Sequence, residues 1–200
     1  MFRKATRQKF GTRKQETKHS VDYIHSDLWG PSQVLSHGGA RYFMTLIDDY
    51  TRKVWVYVLK QKGEALLKFK EWLTLIENQT ERKVKRLMTD NGLEYCSKEF
   101  DGFCKEKWII RHKTVRHTPQ QNGLAERMNK TLVEKVMCML FSANLLKHFW
   151  ADAVTTAVYL INRSPSTTLN FKTPQEVWSG KTLDLSNLRI FGSPTCAHIN

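Results

Sequence analysis

Two hundred residues, 40 % of them apolar and six of them Trp, suit one globular domain with a sizeable core. The formal net charge of +13 points to a polyanionic partner, and no apolar run approaches the ~18 residues a membrane-spanning helix needs. The basic N-terminus lacks the apolar segment of a secretory signal. The four cysteines (Cys96, Cys104, Cys138, Cys196) follow no CxxC or paired spacing, so they read as reduced core thiols and not as a disulfide frame or a zinc site.

In chain order, residues 1–20 carry seven basic residues against one acidic and almost nothing apolar, and read as a flexible basic arm. Such an arm serves nuclear targeting or nucleic-acid binding, or is simply a solvated linker. Val21–Leu28 alternates and stops at Gly30-Pro31, which predicts a strand ending near Asp27. Arg41–Ile47 and Lys53–Leu59 are further strands, set off by turns at Ser36–Gly39 and Asp48–Thr51, so a three-stranded antiparallel meander is expected. Lys53–Leu59 is apolar on both faces, as in the middle of a covered sheet. Glu64–Glu77 is helical, with Leu66, Phe69, Leu73 and Ile76 inward. Lys83–Met88 is a short strand running into Asp90-Asn91-Gly92, Ser97 caps a helix carrying Phe100, Phe103 and Cys104, and Ile109–Val115 is a fifth strand. A later helix covers Leu146–Ile161, Thr173–Glu176 is a capping box with Pro at the first helical position, and RIFGSPTCAHIN reads as a strand cut off in mid-course.

Between the fifth strand and that later helix lies TPQQNGLAERMNK, from Thr118 to Lys130. Asn122 is placed to cap a long helix in which Ala125, Met128, Leu132, Val136 and Met139 form a buried stripe. Glu126 falls in its first turn, where the helix dipole favours the ionised form, and Lys130 and Glu134 follow at i+4 and i+8. Alone, Glu126 is an ordinary first-turn acid paired with Lys130. Asp27 and Asp90, however, both stand at strand ends, and an α/β layer gathers strand ends and a helix start at one rim. Three carboxylates gathered there repel one another unless a cation neutralises them, and hard oxygen ligands suit Mg²⁺, with Mn²⁺ as substitute.

Asp90 and Glu126 are separated by 35 residues. That spacing, with HSDLWGP around Asp27, TDNGLEY around Asp90 and TPQQNGLAERMNKTL around Glu126, resembles the integrases of copia-type LTR retrotransposons. FWADAVTTAVYLINRSPS, TPQEVW and a terminal FG extend the resemblance over roughly residues 20–195. It implies an RNase H-like α/β fold, a five-stranded mixed sheet flanked by helices, with the catalytic core over 21–165 and a truncated C-terminal extension over 166–200. It implies Asp27, Asp90 and Glu126 as catalytic metal ligands for two Mg²⁺ ions. The implied activity is polynucleotidyl transfer: trimming the 3′ ends of element DNA and joining them to target DNA. Gln120, Gln121, Asn122, Arg127 and Lys130 are then the residues expected at nucleic acid, DNA and further copies of the chain the expected partners, and the nucleus the expected location.

Some features depart from that family's pattern. A His₂Cys₂ zinc module is expected to precede the core, and only its basic exit linker is recognised here. Trp108 stands where the family usually has Gly before the fifth strand, and Arg116-His117 replaces a Pro-Tyr-like pair. Two rival readings follow: an element-derived remnant that only binds nucleic acid, or an RNase H-type nuclease with the same carboxylate chemistry. Asn91 and Glu94 are minor candidates beside Asp90, with turn and surface roles as the alternatives, and Asp48 and Asp49 read as hairpin-turn residues.

Overall fold

The computed structural model describes residues 17–114 and 122–193. The arm through residue 16, Val115 at the expected end of the fifth strand, and Arg116, His117, Gln120, Gln121 and Cys196 lie outside these. β1 (Tyr23–Trp29), β2 (Tyr42–Asp48) and β3 (Val54–Leu59) form the expected antiparallel meander. β4 (Arg86–Thr89) joins β1 in parallel and β5 (Ile110–Lys113) joins β4 in parallel. Each parallel step needs a crossover, supplied by α1 (Ala65–Thr80) and α2 (Lys98–Glu106). The sheet order is β3-β2-β1-β4-β5, a mixed five-stranded sheet with helices on both faces, which is the RNase H-like arrangement.

Alternation along the strands divides the core in two. Met44 and Leu46 of β2 face α1 and α2, joining Phe69, Trp72, Phe100 and Tyr95. Phe43 and Ile47 face the other way, onto α3 (Gly123–Ser142) and α4 (Trp150–Ile161), with Ala125, Leu132, Val136 and Ala157. The period of two sends successive side chains into separate layers, so the sheet is covered twice.

β3 is not the central strand that its apolar sequence led us to expect. It lies at the sheet edge, and its two apolar faces are covered by helices, not flanked by strands. The free edge is partly closed by Asn162, whose side-chain oxygen accepts the N–H of Val54 at 2.9 Å while its amide donates to the Val54 carbonyl at 2.8 Å. α5 (Pro174–Ser179) clasps the same edge. Its capping box at Thr173 and Glu176 forms as expected. Lys53 then donates to Gln175 Oε1 at 2.7 Å and lies over the Trp178 ring, which meets Trp55 edge to face. Burial, helped by Arg163, pulls Lys53 down to about 8.

At the β2–β3 turn, Asp48 is fully buried and accepts the N–H groups of Val21 and Thr51 and the Thr51 hydroxyl. Burial alone would raise Asp49, but His25, Thr17 and Arg52 outweigh it and hold it at about 2. Asp49 is a turn residue, as expected, and Asp48 closes β2 while its side chain holds the turn together. Thr17, through its bond to Asp49, belongs to the folded body and not to the arm. Residues Arg189–Ser193 are not strand, contrary to expectation; Phe191 packs against the α3–α4 layer instead. Only Cys104 of the described cysteines is a core thiol, Cys96 and Cys138 being exposed.

Candidate active site

The pairing register brings two of the three carboxylates side by side. β1 and β4 run parallel with His25 opposite Met88. Asp27 and Asp90 each lie two residues further on, Asp27 within β1 and Asp90 directly after β4, so adjacent strands, about 4.8 Å apart in any sheet, carry them to the same rim. α3 meets that rim with Glu126 in its first turn. An open cleft of ≈ 530 Å³ runs from Asp27 along α3, lined by Glu126, Lys130 and Glu134. The i, i+4, i+8 spacing of the last three is what sets them in one row.

These carboxylates feel one another. Burial raises Asp27 to about 7, with Asp90 and Glu126 adding to the rise and hydrogen bonds from the Leu28 backbone and Asn129 opposing it. Glu126 is also raised, by burial and by Asp90, while Arg127 pulls the other way. The dipole argument expected the ionised form of Glu126 to be favoured; the neighbouring acid and partial burial win because they act directly on the carboxyl group.

Asn122 occupies the residue before α3 but makes no capping bond. It is fully buried and donates to the Ser26 carbonyl at 3.1 Å, so it ties the helix start to β1 and is not presented to a nucleic acid. Lys130 does not form the expected ion pair with Glu126 and stands exposed in the cleft. Arg127 is exposed too, its guanidinium folded back over Gly123. The buried stripe of α3 is rotated from the expected one: Asn129 and Leu140 are buried, while Met128 and Met139 are only partly so.

Asn91 donates to the Thr114 carbonyl at 2.6 Å, bracing the Asp90 loop against the end of β5. Asp90 accepts the Gly92 N–H at 3.0 Å, a turn bond. Gly92 leaves room for two carboxylates: a Cβ there would come 2.7 Å from Glu94 Oε1 and 3.0 Å from Asp90 Oδ1. Glu94 is therefore close to the site, yet it points toward Lys62 at 3.9 Å.

Three residues escaped the sequence reading. Asn129 donates to Asp27 Oδ2 at 2.9 Å, and Thr45 donates to Asn129 Oδ1 at 2.9 Å. Tyr95, fully buried, shares a 2.8 Å hydrogen bond with Ser26. The only signal for Asn129 was a polar residue at i+3 from Glu126, bordering an apolar stripe. Trp108 takes the left-handed conformation, φ 58°, that Gly usually supplies, and β5 still pairs in register with Ile110 opposite Arg86.

The donor chemistry suits a hard cation: oxygen ligands only, with the proton affinities of Asp27 and Glu126 raised by burial first and by neighbouring acids after it. Among the described residues no three His, Cys, Asp or Glu side chains converge as a complete ligand set. A small divalent ion commonly takes one or two carboxylates and completes its shell with water and phosphate oxygens, and the open cleft leaves space for both.

The model of the integrase core domain matches residues 18–119, a span that includes Asp27 and Asp90. This chain belongs to that family. The integrase core is 48 % identical over 199 residues to the retrovirus-related Pol polyprotein from transposon TNT 1-94 of Nicotiana tabacum, covering all of this chain and 15 % of that protein. It is 34 % identical over 172 residues to the corresponding polyprotein from transposon RE1 of Arabidopsis thaliana, covering 86 % of this chain and 12 % of that protein. The chain thus spans less than a sixth of either relative. Among solved structures, the simian T-cell lymphotropic virus intasome in complex with PP2A regulatory subunit B56 gamma matches with a TM-score of 0.64 and 19 % identity, over 90 % of this chain and 59 % of that one. The HTLV-2 integrase catalytic core domain in complex with magnesium matches with a TM-score of 0.58 and 19 % identity, over 78 % of this chain and 95 % of that one. These two likenesses concern the fold, which agrees with the topology above.

Proposed function

We propose that this integrase core is the catalytic part of a polynucleotidyl transferase that trims 3′ ends of element DNA and joins them to target DNA. The observation that carries this reading is the placement of Asp27 on β1 beside Asp90, which follows directly on the parallel neighbour β4, with Glu126 at the open cleft that Asp27 also lines. Asp27, Asp90 and Glu126 hold Mg²⁺, or Mn²⁺ in its place, as two ions; the magnesium complex of the HTLV-2 core supports the choice of metal. Bound there, the ions neutralise the gathered negative charge and provide the Lewis acidity that phosphoryl transfer needs.

The chain's own residues do the rest. Asn129 and the Leu28 N–H hold the Asp27 carboxylate in place, and its other lone pairs would face the ions. Lys130, exposed in the cleft, holds a DNA phosphate as a point charge, and Arg127, exposed over the start of α3, adds a second cation. Gln120 and Gln121 contact the DNA end as it enters. In the reaction, a water or 3′-hydroxyl oxygen forms a new bond to phosphorus while the bond to the opposite 3′-oxygen breaks, and that oxygen leaves as a hydroxyl. Two element ends must be joined together, so the working form is a multimer, acting in the nucleus; the intasome and the dimeric and trimeric HTLV-2 cores support assembly.

The test is a disintegration assay on branched DNA, with Mg²⁺ and with Mn²⁺, run beside an RNA–DNA hybrid. Asp27→Asn and Asp90→Asn should each abolish strand joining, a loss of at least about 10³-fold, with circular dichroism unchanged. Activity retained by either variant would overturn the assignment of these residues. Cleavage of the hybrid alone would favour a nuclease, and binding of DNA without turnover would favour a remnant.

A further inference from the structure

Asn129 and Thr45 have no evident structural reason to be polar. Asn129 is 4 % exposed on the inner side of α3, and Thr45 is fully buried in the middle of β2, directly opposite Asp27 in the antiparallel register. They meet each other: the Thr45 hydroxyl donates to Asn129 Oδ1 at 2.9 Å, and Asn129 Nδ2 donates to Asp27 Oδ2 at 2.9 Å. A hydroxyl has one proton to give. The alternative acceptor for Thr45 is the Asp27 carbonyl at 3.4 Å, a much longer contact, so the proton goes to Asn129.

That choice has a consequence. A side-chain amide has one donor end and one acceptor end. With its oxygen held by Thr45, Asn129 can only turn its NH₂ toward the carboxylate. Reversed, it would set its oxygen against the carboxylate, two acceptors face to face, and push the Thr45 proton onto the longer contact with the Asp27 carbonyl.

The same point ties together all three elements that carry carboxylates. Ser26 donates to the Thr45 carbonyl at 2.9 Å and shares its hydroxyl with Tyr95, which closes the loop after Asp90. Asn122, at the start of the helix bearing Glu126, donates to the Ser26 carbonyl.

We infer that Thr45 is a positioning residue: through Asn129 it fixes the rotation of the Asp27 carboxylate and so the site's grip on its divalent cation. The inference rests on the proposed function, because it assumes that Asp27 is a ligand. Thr45 itself touches neither cation nor DNA.

The experiment titrates Mn²⁺ and Mg²⁺ into the DNA-free chain and follows the rise in melting temperature; disintegration activity is measured in parallel. Thr45→Val keeps the shape and removes the donor. It should raise the half-saturating metal concentration about ten-fold, the scale on which partners behind a metal ligand usually act. Thr45→Ser should restore the wild-type midpoint. Asn129→Ala should match Thr45→Val, and the double variant should be no worse than Asn129→Ala alone.

A wild-type midpoint in Thr45→Val, or additive losses in the double variant, would overturn the relay while leaving the proposed function standing. If Thr45→Val does not fold, Thr45→Ala, which also lacks the donor, takes its place, and an unshifted midpoint there overturns the relay equally. A wild-type chain with neither a metal-dependent shift nor strand joining would overturn the proposed function and this inference with it.

Discussion

At the scale of single residues, the least comfortable group is Asp27. Its folded value of about 7 stands above an ordinary 3.8, with burial the largest cause. The folded chain therefore binds that proton more tightly than the unfolded chain does. The stabilisation this gives is complete below about pH 4 and is lost as pH rises through about 7. In metal-free buffer the melting temperature should fall from pH 5 to pH 8 more steeply for the wild type than for Asp27→Asn. Parallel curves would show that Asp27 is not perturbed. Trp108 is one of seven non-glycine residues with positive φ among those described. It sits at the end of α2, where its N–H bonds the Lys105 carbonyl and the Ile109 N–H bonds that of Cys104, a Schellman arrangement whose left-handed position favours Gly. The side chain is 89 % exposed, so removing it sacrifices little burial. Trp108→Gly should stabilise the fold by about 0.5–1 kcal/mol, the left-handed penalty less the added flexibility of glycine. Urea unfolding midpoints measure it, and a loss of stability would mean that the indole does something for the fold.

At the scale of elements, Asn162 is the residue to remove. It supplies both hydrogen bonds to the outer side of Val54, a residue 1 % exposed. Asn162→Ala should cost about 2–4 kcal/mol, because two bonds vanish and the groups left behind are buried. A loss under about 1 kcal/mol in chemical denaturation would mean that water replaces the amide at no penalty. Sequence separation decides which polar residues can be read in advance. Ser97 and the Thr173–Glu176 box were legible because a cap and its partner lie three residues apart. Asp27, Asp90 and Glu126 were legible because each sits where a strand or helix visibly begins or ends. Asn162, Asn129 and Thr45 were not, since their partners lie 108, 102 and 84 residues away and a polar residue in a helical pattern looks like one facing solvent. β3 misled for a related reason. Apolar residues on both faces report cover above and below a strand, and carry no information about neighbours on either side.

At the scale of the whole molecule, charge is the property that reaches furthest. The net +13 is concentrated toward the N-terminus, where Arg3, Lys4, Arg7, Lys9, Arg13 and Lys14 precede Thr17. We expect this segment to act as a DNA-binding arm. Deleting residues 1–16 should then flatten the plot of log affinity against log salt by up to about 5, near 0.9 for each phosphate no longer neutralised, with the fold intact. An unchanged slope would leave DNA binding to the body alone. The closure of β3 matters in a different way while the chain is being made. Asn162 leaves the ribosome after every strand of the sheet has been synthesised. Until it docks, β3 is an open edge with Val54 offering an N–H and a carbonyl to any extended segment nearby, and such edges recruit strands from other chains and seed aggregates. A fragment of this chain ending at Ile161 would keep every strand and leave the β3 edge open, so the safe place to cut this core lies beyond α5.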